Sequence, residues 1–282
     1  MSTATGEAAE APARKRARSD DGDADDVLVD AEAEAAEHQA QLDENQRKID
    51  YEKAGMYWDN VDATIDGVLG GFGHLTEVDL KDSHEFFQLQ PALAERTPRP
   101  GTLACDCGAG IGRVAKGLLL DYCEKVDIVE QCKKYTDASW KYVGKEHIRE
   151  VLTLGLQDFD PKPNTYDLIW VQWVIGHLPD EALVAFLKRC VASLKPGGLV
   201  GLKENNCRPK QITVLDDEDS SITRSDDEFR RLFAEAGLTV SHCATQTGFP
   251  AGMFAIQMYW LDPGAAVAAA AAAAGKEGGS GA

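Results

Sequence analysis

Short apolar runs alternate along this chain with segments whose apolar residues recur every three to four positions. The runs Thr102–Cys105, Val126–Glu130, Val151–Leu154, Tyr166–Val174 and Leu199–Lys203 read as strands, and Leu238–Cys243 with Phe254–Trp260 reads as a closing antiparallel hairpin. The helical periodicity predicts helices over Tyr51–Val61, Ser83–Leu93, Lys133–Val143, Asp180–Leu194 and Asp226–Ala236, the last ended by Gly237, and one more opening after Gly112. Arg96–Gly101 reads as a linker, Lys195-Pro196-Gly197-Gly198 as a tight turn and Leu215–Ser221 as a charged loop. Strands alternating with helices predict a single α/β domain, a mainly parallel sheet with an antiparallel edge and a helical extension before it. The near-continuous apolar run Tyr166–Val174 fits a strand covered on both faces, and its Gln172 demands a polar partner.

The stretch TLACDCGAGIGRVAKGLLL, Thr102–Leu120, joins a buried strand to a helix through Gly108, Gly110 and Gly112. The dinucleotide fingerprint G-x-G-x-x-G would put its last glycine at 113, where Arg113 stands. The pattern D-x-G-x-G-x-G starting at Asp106 is instead that of Rossmann-like class I methyltransferases, which hold S-adenosylmethionine (SAM). Arg113 at the helix start supplies a cation for the methionine carboxylate. Glu130 ends the next strand 18 residues after Gly112, near the place from which a carboxylate reaches a ribose diol. The turn after the third strand reaches an adenine, with Gln157 or Asp158 as donor or acceptor. Ligands in such sheets bind beyond the carboxyl ends of the strands, which gathers Gly108, Glu130, Gln157, Gln172–His177 and Asn205 around one crevice.

Composition sets the boundaries. Residues 1–48 are rich in Ala, Glu, Asp and Gln and read as a disordered tail, 49–262 as the methyltransferase domain, and 263–282 as a disordered Ala/Gly tail. Arg14–Arg18 reads either as a nuclear-import signal or as a plain basic cluster, so the expected residence is cytoplasmic, with the nucleus as a further site. A formal charge of −18 argues against a nucleic-acid partner and suits a basic substrate. Seven cysteines without a C-x-x-C pair point to a reducing compartment and no metal, with Cys105 and Cys107 as small core residues. No apolar run carries a membrane-spanning signal.

Methyl transfer to an amine needs the nucleophile aligned and unprotonated. Two places offer a base: His177 at the end of the fourth strand, and the acidic run Leu215–Ser221. Trp58 and Trp173 are candidate channel walls. The loop Thr64–His74, with four glycines, reads as a lid or as an ordinary surface loop.

Asp66-Gly67-Val68-Leu69-Gly70-Gly71-Phe72-Gly73-His74, Asp106–Arg113, Gly155–Phe159, Ile169–Leu178, Lys203-Glu204-Asn205 and Leu215–Ser221 together resemble the eukaryotic alpha-N-terminal protein methyltransferases, over roughly Tyr51–Tyr259. The resemblance implies SAM-dependent methylation of the free α-amine of proteins that begin Xaa-Pro-Lys, or Xaa-Pro-Arg, after removal of the initiator methionine. It implies SAM contacts from Gly108, Arg113, Glu130, Leu156, Gln157 and Gln172. Asp219 and His177 would be general bases, and Asn205 would orient the substrate terminus. Trp173 and the Leu69–Gly71 loop, Gly70 included, would shape a slot for the proline, Trp58 would be a further substrate contact, and Asp216 and Ser221 would bind the basic third residue. The chain departs from the family in Glu130 for an aspartate, Phe254 for a tyrosine, and the long acidic tail. The rival readings are a small-molecule N-methyltransferase of the same fold and an inactive SAM-binding adaptor.

Overall fold

A computed structural model describes residues 24–208 and 213–263. The Arg14–Arg18 cluster and the tail from 264 lie outside the described residues. The chain divides into two units, 1–40 and 41–282. The described part of the first is helical, the start of α1 (Ala24–Arg47), which overlaps the polar helix that the sequence allows over Glu32–Tyr51 and begins earlier than it. Within the second unit the last turns of α1 bury Leu42 and Asn45, and the folded part therefore begins before Ile49.

Next come α2 (Tyr51–Asn60), capped by the Asp50 side chain, the single turn α3 (Ile65–Val68) and α4 (Thr76–Phe87). The last corrects the expected Ser83–Leu93. Pro91 cannot continue a helix and holds Gln90 extended, so the apolar periodicity running on to Leu93 is taken up by a separate 3-10 turn. The strands are β1 (Arg99–Cys107), β2 (Cys123–Glu130), β3 (Ile148–Thr153), β4 (Tyr166–Gln172), β5 (Leu194–Asn206), β6 (Thr213–Asp216), β7 (Ser221–Arg224), β8 (Leu238–Thr245) and β9 (Ala255–Pro263). Helices α5 (Arg113–Gly117), α6 (Lys133–Val143), α7 (Asp180–Ala192) and α8 (Asp226–Glu235) lie between them. The Pro196–Gly198 segment belongs to β5, with an irregular register against β4, rather than forming a separate turn. The charged loop is also corrected: it is the tip of the β6–β7 hairpin.

Hydrogen bonding orders the sheet β3-β2-β1-β4-β5, all parallel, continued antiparallel by β9 and β8. β7 joins the end of β5 through Asn206 and Arg224. Alternate residues of each central strand feed two apolar layers. Ile169, Val171, Val200 and Leu202 pack against α7 and α8, and Trp170 packs with Phe86, Phe87 and Trp260 on the α4 side. Cys105 and Cys107 are fully buried, as expected. Chain order reverses between β1 and β4, and that reversal opens a crevice above their carboxyl ends. Among the described residues no helix is long and apolar enough to cross a membrane.

Candidate active site

Two cavities meet at the carboxyl ends of the strands. The first lies over the glycine turn and is bordered by Gly108, Arg113, Glu130, Leu156, Gln157 and Gln172. Gly108 takes φ +73°, and a Cβ there would stand 2.4 Å from the Val174 side chain, so the backbone passes where a larger residue has no room. Asp106 accepts from the Ala115 N–H at 2.8 Å and ties the strand end to α5. Burial pushes its carboxyl up to about 7, against the pull of that N–H and of Arg113. Glu130 clamps the turn from β2: Oε2 accepts from Gly110 N–H and Oε1 from Cys132 N–H, each at 2.9 Å. Burial raises its pKa as well, while those N–H groups oppose the rise. Gln157 donates to Asp158 at 3.1 Å, so the two adenine-side candidates are neighbours on one 3-10 turn.

The partner that Gln172 requires is Asp79 of α4, which the sequence reading did not single out. Gln172 Nε2 lies 3.1 Å from both Asp79 oxygens, Arg113 Nη1 2.7 Å from Oδ2, and Lys203 Nζ 2.5 Å from Oδ1. Burial alone would raise the Asp79 pKa; Lys203 and Arg113 outweigh it and hold the carboxylate below its ordinary range. Two basic side chains thus share a single buried carboxylate at the start of α5. Such a grouping suits a further anionic group, and a guanidinium with one N–H spent on Asp79 keeps others for it. The glycine turn, the acid at the end of β2 and this cationic corner therefore fit a SAM molecule, with its carboxylate toward Arg113.

Trp173 borders both this cavity and the second, together with Trp58, Leu69 and His177. It follows β4 in a left-handed conformation, φ +53°, which turns the chain out of the sheet. Its ring lies 5.6 Å from the Arg113 guanidinium and 6.0 Å from the Lys203 ammonium, and its Nε1 is buried without a hydrogen-bond partner. The second cavity brings together Trp58, Leu69, Gly70, His177, Asn205, Asp216, Asp219 and Ser221. Leu69 and Gly70 lie in the glycine loop, which Asp66 pins by accepting from Gly73 N–H at 3.0 Å. Gly70 and Gly71 both have positive φ.

His177 hangs from the 3-10 turn Ile175–His177. This turn presses so closely on β7 that a Cβ on Gly176 would meet the Ile222 carbonyl oxygen at 2.9 Å. His177 Nε2 accepts from Trp58 Nε1–H at 3.2 Å and stands 3.9 Å from Asp219 Oδ2. Burial lowers the His177 pKa and Asp219 partly offsets this. Asp219 Oδ1 accepts from the Ser221 hydroxyl at 2.6 Å, and Asp216 Oδ1 accepts from Glu218 N–H at 2.9 Å. The same cavity is bordered by Glu204, Phe249, Met253 and Ile256, none of which the sequence reading proposed as site residues. The lone acid at the end of the apolar row Val200, Leu202 was the available signal for Glu204.

Residues 46–262 match the family described as AdoMet dependent proline di-methyltransferase. The chain is 45% identical over 203 residues to N-terminal Xaa-Pro-Lys N-methyltransferase 1 of Xenopus tropicalis, covering 71% of this chain and 89% of that protein. It is 41% identical over 214 residues to the Homo sapiens protein of the same name, covering 75% and 94%. Among solved structures, a SAM-dependent methyltransferase from Leishmania major superposes with a TM-score of 0.70 at 37% identity, over 75% of this chain and 82% of that one.

Proposed function

The chain belongs to the AdoMet-dependent proline di-methyltransferase family, and on that footing we propose that it methylates the free α-amine of proteins that begin Xaa-Pro-Lys or Xaa-Pro-Arg after loss of the initiator methionine. The observation that carries this reading is the junction at Trp173. There a cavity suited to SAM meets a second one walled by aromatic rings and edged by Asp216 and Asp219.

Bound SAM supplies an electrophilic methyl group on a sulfonium. Gly108, Arg113, Glu130, Leu156, Gln157 and Gln172 hold it, with Arg113 itself held by Asp79. Trp58, Leu69, Gly70 and Trp173 line the second cavity and offer apolar surface to a proline ring. Asp216 and Ser221 receive the cationic third residue, and the acidic hairpin raises the local concentration of basic termini. Asn205 orients the terminus. An α-ammonium has a pKa of about 7.7–8.0, so Asp219, with the neutral His177 beside it, needs to act only as a weak base.

The test is mass spectrometry of a Ser-Pro-Lys-Arg peptide incubated with protein and SAM, beside an α-acetylated control. Methyl gain on the free peptide alone is expected. No gain with SAM binding intact would overturn the reading in favour of a small-molecule substrate or an adaptor.

A further inference from the structure

Val200, Leu202 and Glu204 occupy one side of β5, and the first two sit in the apolar layer beneath α7 and α8. Glu204 therefore places a carboxyl where the pattern calls for a hydrocarbon, and it is buried. Its Oε2 accepts from Asn205 N–H at 3.1 Å, while Oε1 has no hydrogen-bond partner. Trp173 N–H donates to the Lys203 carbonyl at 3.1 Å, which sets the start of the turn that carries His177 beside Glu204 at the edge of the same cavity, and the Val174 and Ile175 N–H groups bear on the carboxyl electrostatically. The charged group facing it from β7 is Arg224. That guanidinium is already spent on Asp180 of α7 and on the carbonyls of Ile175 and Leu178, with Glu228 of α8 also acting on it. On the cavity side lie His177 and Asp219, while Lys203 projects to the opposite face of β5 toward Asp79. No cation is thus dedicated to Glu204.

Resting on the function proposed above, we propose that Glu204 is a positioning residue whose charge seats the Trp173–His177 turn, and with it the tryptophan wall and the histidine of the substrate cavity. An ionised carboxylate is an acceptor only, and it attracts the N–H dipoles of Val174 and Ile175 more strongly than a neutral carboxyl does. A protonated carboxyl accepts weakly and brings a hydroxyl donor into a place already lined with donors. The turn is therefore seated when Glu204 is ionised and looser when it is neutral. Burial pushes this carboxyl up to about 7, against the N–H groups of Asn205, Val174 and Ile175, so both forms are populated near neutral pH.

The first readout is free of activity. In amide NMR of the full chain, the Val174 and Ile175 N–H resonances should titrate with a midpoint near 7. In Glu204→Gln they should not. Amides that stay fixed through this range in the wild type would overturn the proposal whatever the enzyme does. The second readout is kcat on the Ser-Pro-Lys-Arg peptide at saturating SAM from pH 6 to 8.5. The ratio of wild type to Glu204→Gln should rise from near unity to roughly tenfold or more, up to the roughly hundredfold that a 1 Å misplacement can cost. Glu204→Asp, which keeps the charge, should follow the wild-type profile, and SAM affinity should be unchanged in both variants. A ratio constant across pH would mean that Glu204 merely fills space. A wild type that titrates at Val174 and Ile175 but leaves the peptide unmethylated would sink the function proposed above and leave the positioning role standing.

Discussion

His177 carries its proton on Nδ1. An indole N–H can only donate, so the bond from Trp58 fixes Nε2 as the lone-pair nitrogen, and burial keeps the ring neutral. Nε2 is therefore engaged before any substrate enters, and Asp219, at 3.9 Å, is too far for a hydrogen bond to it. Of the two bases nominated from sequence, Asp219 has the freer approach: its Oδ1 accepts a neutral hydroxyl and its Oδ2 faces the cavity side of His177. Replacing Asp219 by Asn should leave SAM affinity nearly unchanged in calorimetry, while peptide turnover falls by about 10² to 10⁴, the range for a lost acid–base group. Full turnover in that variant would remove Asp219 from the mechanism. At this scale the residue types along the chain nominated Asp219 and His177 as bases. They did not show the tautomer of His177 or the partner of Gln172, because both depend on atoms brought in from α2 and α4.

The β6–β7 hairpin is the element that brings Asp216, Asp219 and Ser221 to the cavity, and it is fastened from outside the sheet. Ser220, buried and at φ +60°, accepts from Asp50 N–H at 2.8 Å and donates to the Lys48 carbonyl at 3.1 Å. Asn45 of α1 donates to Thr213 Oγ1 at 2.8 Å on the same hairpin. The segment leading into α2, and so toward Trp58, is thus tied to the turn that bears Asp219. Ser220→Ala would remove two hydrogen bonds whose backbone partners belong to exposed residues, at about 0.5–1.5 kcal/mol each, or a few degrees of Tm in a domain of this size. The melting temperature should fall by that amount and peptide KM should rise with SAM affinity intact; an unchanged KM would show that the tie does not position the hairpin. Four consecutive acids interrupt any strand pattern here, so the linear pattern points to a loop, and the pairing of Val214 and Leu215 with Thr223 and Ile222 reveals the hairpin. α6 was legible to the residue, since its apolar stripe is regular and Gly144 ends it.

At the scale of the whole molecule the folded unit reaches back to residue 41, beyond the boundary that composition suggested. Leu42 is buried, Asn45 binds Thr213, and Gln46 Oε1 accepts from Asp180 N–H at 2.9 Å. A chain beginning at 50 should therefore melt several degrees below one beginning at 41, because it loses a buried leucine worth about 1.5–3 kcal/mol along with these bonds. Equal melting temperatures would place the boundary after α1. The sequence by itself determined the class of fold, the succession of the main strands along the chain, the glycine turn and the acid at the end of β2. Those features follow from periodicity and from what a backbone or a buried polar group demands locally, and they need no knowledge of distant partners. Only the tertiary structure decided that Asp79 joins Arg113, Gln172 and Lys203, that Ser220 locks onto residues 48–50, and that Glu204 lies buried behind the His177 turn. Gln172 and Asp79 are 93 residues apart, Ser220 and Asp50 170 apart. Across such separations a partner is chosen by how helices and strands pack in space, which a linear pattern of polar and apolar positions does not encode.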